Sequence, residues 1–356
     1  MCVIIQILSE AVKFLWSYLR KIMIKMTDIA KKLGLSLTTI SRALNDHSDV
    51  SQKTKKLINK TAKEMEYVPD RTARNLAMKK SHLISLLYDD YRESISYQSF
   101  TFEVLAGIRN YFGNTPYDLL IVPENTRSKN RESLKNICLS RGVEGLFVVG
   151  IRTDDSYIKE LKEDFIPVVV IDYPLIGKRI SYVESDNMKG CRLAIDYLVS
   201  KGHKNIAFIN GHNLAAVSPI RFNGYKTALE ENGIPFNPEL VTDSDYTEEG
   251  GFRAAKSLLE ERRNFSAVFA ASDLMAVGAI KAIKENNLRI PEDVAVIGFD
   301  DVFFAEHSHP ELTTVRQHKF EMGYEGAKLL HKIIENPDYI PRRKKIDVEL
   351  IIRDSA

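Results

Sequence analysis

Residues 27–44, T-D-I-A-K-K-L-G-L-S-L-T-T-I-S-R-A-L, constrain the fold of this chain more than any other stretch. Two short helical patterns are joined by a Gly-Leu-Ser turn, and each carries apolar residues at helical spacing on one face. The positions that we expect the two helices to bury are Ile29, Ala30, Leu33, Ile40 and Leu44. The other side chains of the second helix then point outward, as in a helix-turn-helix that presents a reading edge to the DNA major groove.

Charge is distributed unevenly along the chain, although the net charge of all 356 residues is only +2. Residues 23–81 contain thirteen lysines and arginines against six acidic residues, a net charge of +7. The segment 1–22 adds +2, so the segment 82–356 carries −7. A basic head on an acidic body is typical of a small nucleic-acid-binding module attached to a larger sensor. The length suggests about two or three domains.

The three cysteines, Cys2, Cys138 and Cys191, lie far apart and form no C-x-x-C or Cys/His cluster. This pattern argues against a disulfide scaffold and against structural zinc, and it predicts a cytoplasmic protein without a metal or other cofactor. His307 and His309 flank a serine, but no further metal ligand is near them in the sequence, so we interpret both as solvated or hydrogen-bonded.

The segment 1–22 is apolar, but Glu10 and Lys13 interrupt the run before it reaches the length of a transmembrane helix. It also lacks the basic start and the small-residue cleavage site of a signal peptide. We interpret 1–22 as an upstream extension that results from the assignment of the start codon, with Met23 as the physiological first residue. A membrane anchor is the alternative, and we expect no membrane association.

A third helix is expected to begin after Ser51, which can cap it, and to end near residue 67 before Pro69. Its predicted buried face consists of Leu57, Ile58, Ala62 and Met65. The next residues, D-R-T-A-R-N-L-A-M-K-K, contain good helix formers but few apolar anchors, so an isolated helix there should be marginal. Leu76 is a poor core residue in this basic segment and suits a wedge that unstacks a base step in the minor groove. The alternative is a linker helix packed on the core.

From residue 83 onward, short apolar runs alternate with helical stretches. The strands predicted from these runs are 83–88, 119–122, 145–149, 168–171, 206–209, 267–270 and 294–299. The helices predicted between them include 102–112, 188–201, 222–232, 250–261 and 274–287. Such alternation predicts parallel sheets with helices on both faces. The stretch is too long for one such sheet, so we expect two lobes, with a ligand cleft at the carboxyl ends of the strands.

Eight motifs in the same order resemble the LacI/GalR family of bacterial transcription regulators. They are D-I-A-K-K-L-G-L-S-L-T-T-I-S-R-A-L-N, Y-V-P-D-R-T-A-R-N-L, R-G-V-E-G-L, K-G-H-K-N-I-A-F-I-N-G, R-F-N-G-Y-K-T-A-L, A-S-D-L-M-A-V-G-A, V-A-V-I-G-F-D-D and L-T-T-V-R-Q. The resemblance covers nearly all of residues 23–353. It implies a DNA-binding domain, a hinge helix, a core like that of periplasmic sugar-binding proteins, and a homodimer that binds a near-palindromic double-stranded operator.

The fold class implied is α/β, a two-lobed periplasmic-binding-protein-like core of doubly wound parallel sheets with a small all-α helix-turn-helix domain. By resemblance the DNA-binding domain spans 23–69 and the hinge helix 70–81. The implied lobes are 82–181 plus 318–345 and 182–317 plus 346–356, with the last strand, at 345–352, in the second lobe. No heptad pattern follows that strand, so the sequence gives no support for the tetramer that some relatives form.

The resemblance assigns base contacts to Leu37, Thr38 and Arg42. Arg42 can donate two hydrogen bonds to guanine O6 and N7, worth about 1–3 kcal/mol of discrimination, whereas Leu37 offers only an apolar contact. The small polar residues to which we assign phosphate contacts are Thr39, Ser41, Asn45, Ser51 and Thr54. Ordinary capping and solvation explain these five equally well. The residues assigned to the minor-groove hinge are Ala73, Arg74 and Leu76, and further phosphate contacts are expected from Arg71, Lys79 and Lys80. Lys25 stands where relatives cap the first helix with Thr, so Thr27 is the alternative cap.

The resemblance also implies an effector site between the lobes. The residues assigned to it are Phe100, Arg221, Ser272, Asp273, Phe299, Asp300 and Gln317, with Asp172 as a weaker candidate. Guanidinium donors suit hydroxyl, carboxylate or phosphate groups. A purely structural Arg221–Asp300 salt bridge is the alternative. Residues 91–103 depart from the N-P-F-F pattern common in the family, so the effector itself is not predicted.

We therefore expect a dimeric repressor of carbohydrate-utilisation genes that a sugar or sugar derivative controls. A corepressor-dependent regulator of the same family is the main alternative. A sugar-binding transport protein is disfavoured because of the DNA-binding segment. An enzyme is disfavoured because the chain contains no G-x-G-x-x-G, no P-loop and no nucleophile elbow.

Overall fold

The structure is a computed structural model that describes residues 24–68, 80–88, 100–123, 132–261 and 264–356. The chain divides into two compact units, Met1–Lys80 and Ser81–Ala356. The extension expected at 1–22 lies outside the described residues, as do Ala73, Arg74 and Leu76 of the hinge. Within the described part of the chain, no helix is long and apolar enough to span a membrane.

Among its described residues, the first unit contains three helices, α1 (Met26–Leu33), α2 (Leu37–Leu44) and α3 (Gln52–Glu64). The Asp28 carboxylate accepts a hydrogen bond of 2.8 Å from the backbone N–H of Lys25, so α1 begins directly after Lys25. The alternative cap at Thr27 is therefore wrong, because Thr27 lies inside the first turn. Gly34 ends α1 in the left-handed conformation, at φ 65°, which glycine adopts without a steric penalty.

The three helices share one small core, whose fully buried members are Ile29, Ile40 and Ile58. Leu57 was expected in this core, but half of its side chain, 50%, is exposed. The inward stripe of α3 runs through Ile58, Thr61 and Ala62, and the helical period places Leu57 beside that stripe instead of on it.

The second unit alternates strands and helices as the sequence predicted. Its strands are β1 (Leu83–Tyr88), β2 (Asp118–Pro123), β3 (Gly145–Val149), β4 (Val168–Ile171), β5 (Ile180–Ser185), β6 (Ile206–Asn210), β7 (Val241–Asp243), β8 (Ala267–Ala270), β9 (Ala295–Asp300), β10 (Thr313–Gln317), β11 (Arg343–Ile346) and β12 (Val348–Ile351). Its helices are α4 (Phe100–Phe112), α5 (Leu134–Ser140), α6 (Tyr157–Leu161), α7 (Asn187–Ser200), α8 (Val217–Glu231), α9 (Glu248–Glu260), α10 (Asp273–Glu285) and α11 (Lys319–Glu335).

The strands form two six-stranded sheets among the described residues, which confirms the expected two-lobed α/β core. The first lobe has the order β2-β1-β3-β4-β5-β11, and all of its strands are parallel. The second lobe has the order β7-β6-β8-β9-β10-β12, in which only β12 is antiparallel. Helices α4 and α11 pack against each other in the first lobe, and α7 to α10 cover the second.

The structure shifts two of the expected lobe boundaries. The first lobe extends beyond residue 181, because β5 pairs with β4 as far as Val183 and the chain crosses only after Ser185. The single strand expected at 345–352 is two strands, since β11 pairs with β5 of the first lobe and β12 with β10 of the second. Asp347 lies at this crossing, where its carboxylate accepts a hydrogen bond of 2.9 Å from the N–H of Val348.

Candidate functional site

Arg221 is the centre of a polar cluster at the carboxyl ends of the strands. It projects from α8, and only 3% of the residue is exposed. Its Nε donates to Asn187 Oδ1 at 2.8 Å and its Nη1 to the Ala271 carbonyl at 2.6 Å. The same Nη1 lies 3.5 Å from Asp300 Oδ1. The guanidinium carbon stacks 3.9 Å from the centroid of the Phe299 ring. Phe299 is fully buried, and its ring packs against one face of the guanidinium.

Asp300 ends β9 with a φ of 121°, an uncommon backbone conformation for a residue other than glycine. Gln317 Nε2 donates to Asp300 Oδ1 at 2.6 Å. The amide oxygen of Gln317 is buried, and the described residues provide no hydrogen-bond donor for it. A buried acceptor without a partner costs about 1–3 kcal/mol. Gln317 Oε1 is therefore an acceptor that a bound molecule can satisfy.

Asp172 brings a second carboxylate to this cluster from the first lobe. It follows β4 and accepts a hydrogen bond of 3.3 Å from the backbone N–H of Ser185. Burial raises the pKa of Asp172 to about 7; Arg221 opposes the increase, and Asp300 adds to it. Burial also raises the pKa of Asp300, against the lowering effects of Arg221 and Lys319. We call these residues, Asp172, Asn187, Arg221, Asp300 and Gln317, the strand-end cluster.

Besides Phe299, which packs against Arg221, three of the expected effector residues are not members of this cluster. Ser272 caps α10, accepting a hydrogen bond of 3.4 Å from the Met275 N–H. Asp273 is fully buried, and its carboxylate accepts hydrogen bonds from the Val302 N–H at 2.8 Å and from the Thr314 hydroxyl. Both residues therefore hold the second lobe together internally. Phe100 is half-buried at the start of α4, where it packs against the core of the first lobe.

Sequence reasoning missed two residues near Arg221. Asn187 begins α7 and fixes the Arg221 Nε, while its own Nδ2 donates to the Ser185 carbonyl at 3.1 Å. The Tyr246 hydroxyl is within 2.8 Å of Ser218 Oγ, and burial raises its pKa, with Arg221 acting in the opposite direction. Neither residue belongs to a recognisable motif, so the sequence alone provided no signal for them.

The two lobes also contact each other through their backbones. The N–H of Thr153, in the loop after β3, donates to the carbonyl of Leu214, in the loop after β6, at 2.9 Å. Both loops follow the carboxyl ends of their strands. The lobes therefore meet at the edge where the strand-end cluster lies.

The outward face of α2 presents the residues expected to read bases. Leu37 is 47% exposed, Thr38 is exposed, and Arg42 is about half exposed. Arg42 Nε pairs with Asp49 Oδ2 at 2.9 Å, a contact that holds the guanidinium in place. The guanidinium is about half exposed, so its Nη groups can reach a guanine edge.

The small polar residues expected at phosphates also make local bonds. Ser36 caps α2 and Ser51 caps α3, accepting from Thr39 N at 3.1 Å and Thr54 N at 3.2 Å. Asn45 Nδ2 donates to the Ser41 carbonyl at 2.9 Å. Capping therefore accounts for the conformation of Thr39, Ser41, Asn45, Ser51 and Thr54, and their phosphate contacts stay a prediction.

Comparison with known proteins finds a matching family in each of the two units. Residues 25–70 match the family described as “Bacterial regulatory proteins, lacI family”, and residues 195–356 match a “Periplasmic binding protein-like domain”. The “Probable HTH-type transcriptional repressor ExuR” of Bacillus subtilis (strain 168) is 32% identical over 337 residues, which cover 94% of this chain and 98% of that protein. The chain belongs to the LacI family. It is a transcriptional regulator with a helix-turn-helix DNA-binding domain and a periplasmic-binding-protein-like core.

Solved structures of LacI-family proteins match the fold over nearly the whole chain. A complex of the transcriptional regulator CelR with cellobiose is 30% identical, has a TM-score of 0.73, and covers 94% of this chain and 100% of that one. A lac repressor dimer bound to operator and the anti-inducer ONPF has a TM-score of 0.79 at 24% identity and covers 94% of this chain and 99% of that one. At that identity the second likeness concerns the fold alone.

Proposed function

We propose that this regulator is a dimeric repressor of carbohydrate-utilisation genes and that an uncharged sugar bound at the strand-end cluster controls its affinity for a near-palindromic operator. The observation that carries the proposal is the pairing, on one chain, of an exposed reading helix with a buried polar cluster to which both lobes contribute. Sugar hydroxyls donate and accept hydrogen bonds, so they suit a cluster that combines carboxylates, an amide and a guanidinium.

The balance of donors and acceptors favours an uncharged effector. The Nε and Nη1 of Arg221 already serve Asn187, Ala271 and Asp300. By contrast, Asp172 and Asp300 together offer several acceptor lone pairs, and Gln317 Oε1 has no donor among the described residues. A carboxylate or phosphate on the ligand would face two acidic groups, whereas sugar hydroxyls can donate to all three acceptors.

The relatives support the class of effector and the direction of control. CelR was solved as a complex with cellobiose, and ExuR is named a repressor. On the DNA side, we propose base contacts by Leu37, Thr38 and Arg42. Leu76 would insert into the minor groove together with its neighbours Ala73 and Arg74, and the chain would bind as a homodimer in the cytoplasm.

An operator-shift assay tests this proposal directly. DNA upstream of neighbouring genes is titrated with the full-length protein, without sugar and with each member of a panel of neutral sugars and sugar acids. We expect a sequence-specific shift that a neutral sugar abolishes. A sugar that strengthens the shift would support the corepressor alternative. The absence of a shift at low salt with every DNA would contradict operator binding.

The pH dependence of effector binding provides a second test. Below pH 7 Asp172 is largely protonated, because its pKa is raised to about 7. A hydrogen bond to the ionised carboxylate is stronger than one to the neutral acid, so effector affinity should rise as the pH increases from 6 to 8. Titration calorimetry of wild type and Asp172→Asn should show this dependence reduced in the variant. The pKa of Asp273 is also raised to about 7. Because Asp273 is present in both proteins, its titration contributes equally to the pH dependence of each. The same dependence of effector affinity on pH in both proteins would mean that Asp172 does not contact the effector.

A further inference from the structure

Lys319 is a buried cation at the point where the chain passes from the second lobe into the first. It is the first residue of α11, and only 2% of it is exposed. Its ammonium donates to the backbone carbonyls of Asp300 at 2.6 Å and Asp301 at 3.0 Å. A buried ammonium is costly unless acceptors surround it, and these two carbonyls supply acceptors from the second lobe.

The two carbonyls belong to an unusual stretch of backbone. Asp300 and Asp301 have φ angles of 121° and 51°, and such conformations are disfavoured for residues with a Cβ. They persist only where the surrounding structure holds them. Lys319 contributes to that hold, since its Nζ donates to both carbonyls. The side chain of Asp301 is held separately, by Arg316 and Arg353. The direction of the Asp300 carboxylate toward Arg221 and Gln317 depends on the same stretch of backbone.

The third partner of the ammonium lies in the first lobe. Glu103 Oε1, on α4, is 3.2 Å from Lys319 Nζ, and the Glu103 side chain is 43% exposed. A cavity of about 310 Å³ adjoins this ion pair, so Glu103 has room to move. Helices α4 and α11 pack closely, because a Cβ at Gly107 would lie 2.0 Å from the Phe320 carbonyl oxygen and one at Gly323 would lie 2.0 Å from that of Val104. The two helices therefore behave as one body of the first lobe.

We propose that Lys319 is a positioning residue that couples the Asp300 backbone of the effector site to the α4–α11 pair, so that the angle between the lobes depends on the state of Asp300. The proposal rests on the proposed function for the role of Asp300 as an effector contact. The single Nζ divides its bonds between two second-lobe carbonyls and one first-lobe carboxylate. A change at Asp300 therefore alters the contact with Glu103, and the reverse also holds.

The test measures the distance between the lobes and needs neither operator nor effector. Spin labels are placed at Lys159→Cys in the first lobe and Glu230→Cys in the second, both exposed positions, in the full chain with Cys2→Ser. The native Cys138 and Cys191 are buried. Pulsed electron spin resonance then gives the interlobe distance distribution for the reference protein and for Lys319→Met, Glu103→Gln and Lys328→Met. Lys328→Met is the matched control, since Lys328 lies on the same helix and pairs only with Glu325 among the described residues.

We expect Lys319→Met and Glu103→Gln to broaden or shift the distance distribution, and Lys328→Met to leave it unchanged. Unchanged distributions in both variants would overturn the proposal. A lowered melting temperature for Lys319→Met, without a change in distance in either variant, would mean that Lys319 only stabilises the second lobe, which also overturns it. Glu103→Gln keeps the test decisive if Lys319→Met fails to fold. A failure of the proposed function would appear separately, as wild-type protein that does not respond to any sugar in the operator assay.

Discussion

Replacing Arg221 with alanine is expected to abolish the effector's control of operator binding while the effector-free protein keeps its operator affinity. The arginine is the main cation among the buried groups of the strand-end cluster, where it contacts Asn187, Asp300 and the Ala271 carbonyl. Hydrogen bonds to charged groups contribute about 1.5–3 kcal/mol each. Loss of Arg221 also removes a positive charge that favours the ionised forms of both Asp172 and Asp300, whereas Lys319 still lowers the pKa of Asp300. We expect effector affinity to fall by roughly 100-fold or more, which corresponds to about 2.7 kcal/mol.

The measurement is a titration of operator complex with sugar, for wild type, Arg221→Ala and the control Lys226→Ala. Lys226 lies on the same helix but is exposed, with its ammonium 4.9 Å from the centroid of the Phe236 ring. The control should respond like wild type. A normal response in Arg221→Ala would mean that the Arg221–Asp300 pair is purely structural. A thermal melt of each protein separates loss of response from loss of fold.

Replacing Arg42 with alanine is expected to lower affinity for the operator more than affinity for unrelated DNA. A bidentate contact to guanine contributes about 1–3 kcal/mol of discrimination, or roughly 5- to 150-fold. Asp49 holds the Nε of Arg42, which limits the entropy lost when the Nη groups bind a base. Removal of one positive charge alone would weaken binding to all DNA by a similar factor.

Equilibrium binding to the operator and to a scrambled duplex, at two salt concentrations, distinguishes these effects. Lys32→Ala removes an exposed charge at the end of α1 and provides the control for a loss of charge away from the reading helix. We expect Arg42→Ala to reduce the ratio of specific to non-specific affinity and the control to keep it. An equal loss of affinity for both duplexes in Arg42→Ala would mean that Arg42 contacts a phosphate and not a base.

Most of the fold could be predicted because the buried parallel strands are nearly uninterrupted apolar runs, such as Val168–Ile171. The strand Ile180–Ser185 was missed because it buries polar residues. Ser181 Oγ accepts from the N–H of Arg342, at 3.0 Å, and Glu184 pairs with Arg343. Both of these partners are distant in the sequence, close to the carboxyl terminus of the chain. No local pattern could show that such residues would be satisfied inside a sheet.

The site could be predicted only in part, for a similar reason. Arg221 and Asp300 were identified by resemblance, and the structure brings them together. Asp273 follows a strand end and so resembled a cleft residue, but it begins a helix whose first turn is buried against Thr314 and Val302. Lys319 carried no signal in the sequence, since its role depends on a backbone turn at 300–301 and on a helix that begins at residue 100.

Operator and effector are expected to favour different states of one protein, and reciprocal linkage tests this expectation most directly. The affinity for the sugar that releases the operator is measured with the free protein and with the protein saturated by operator duplex. Linkage requires the operator to weaken sugar binding by the same factor by which the sugar weakens operator binding, typically about 5- to 150-fold. A sugar affinity that is the same with and without operator would contradict control of operator binding by the effector.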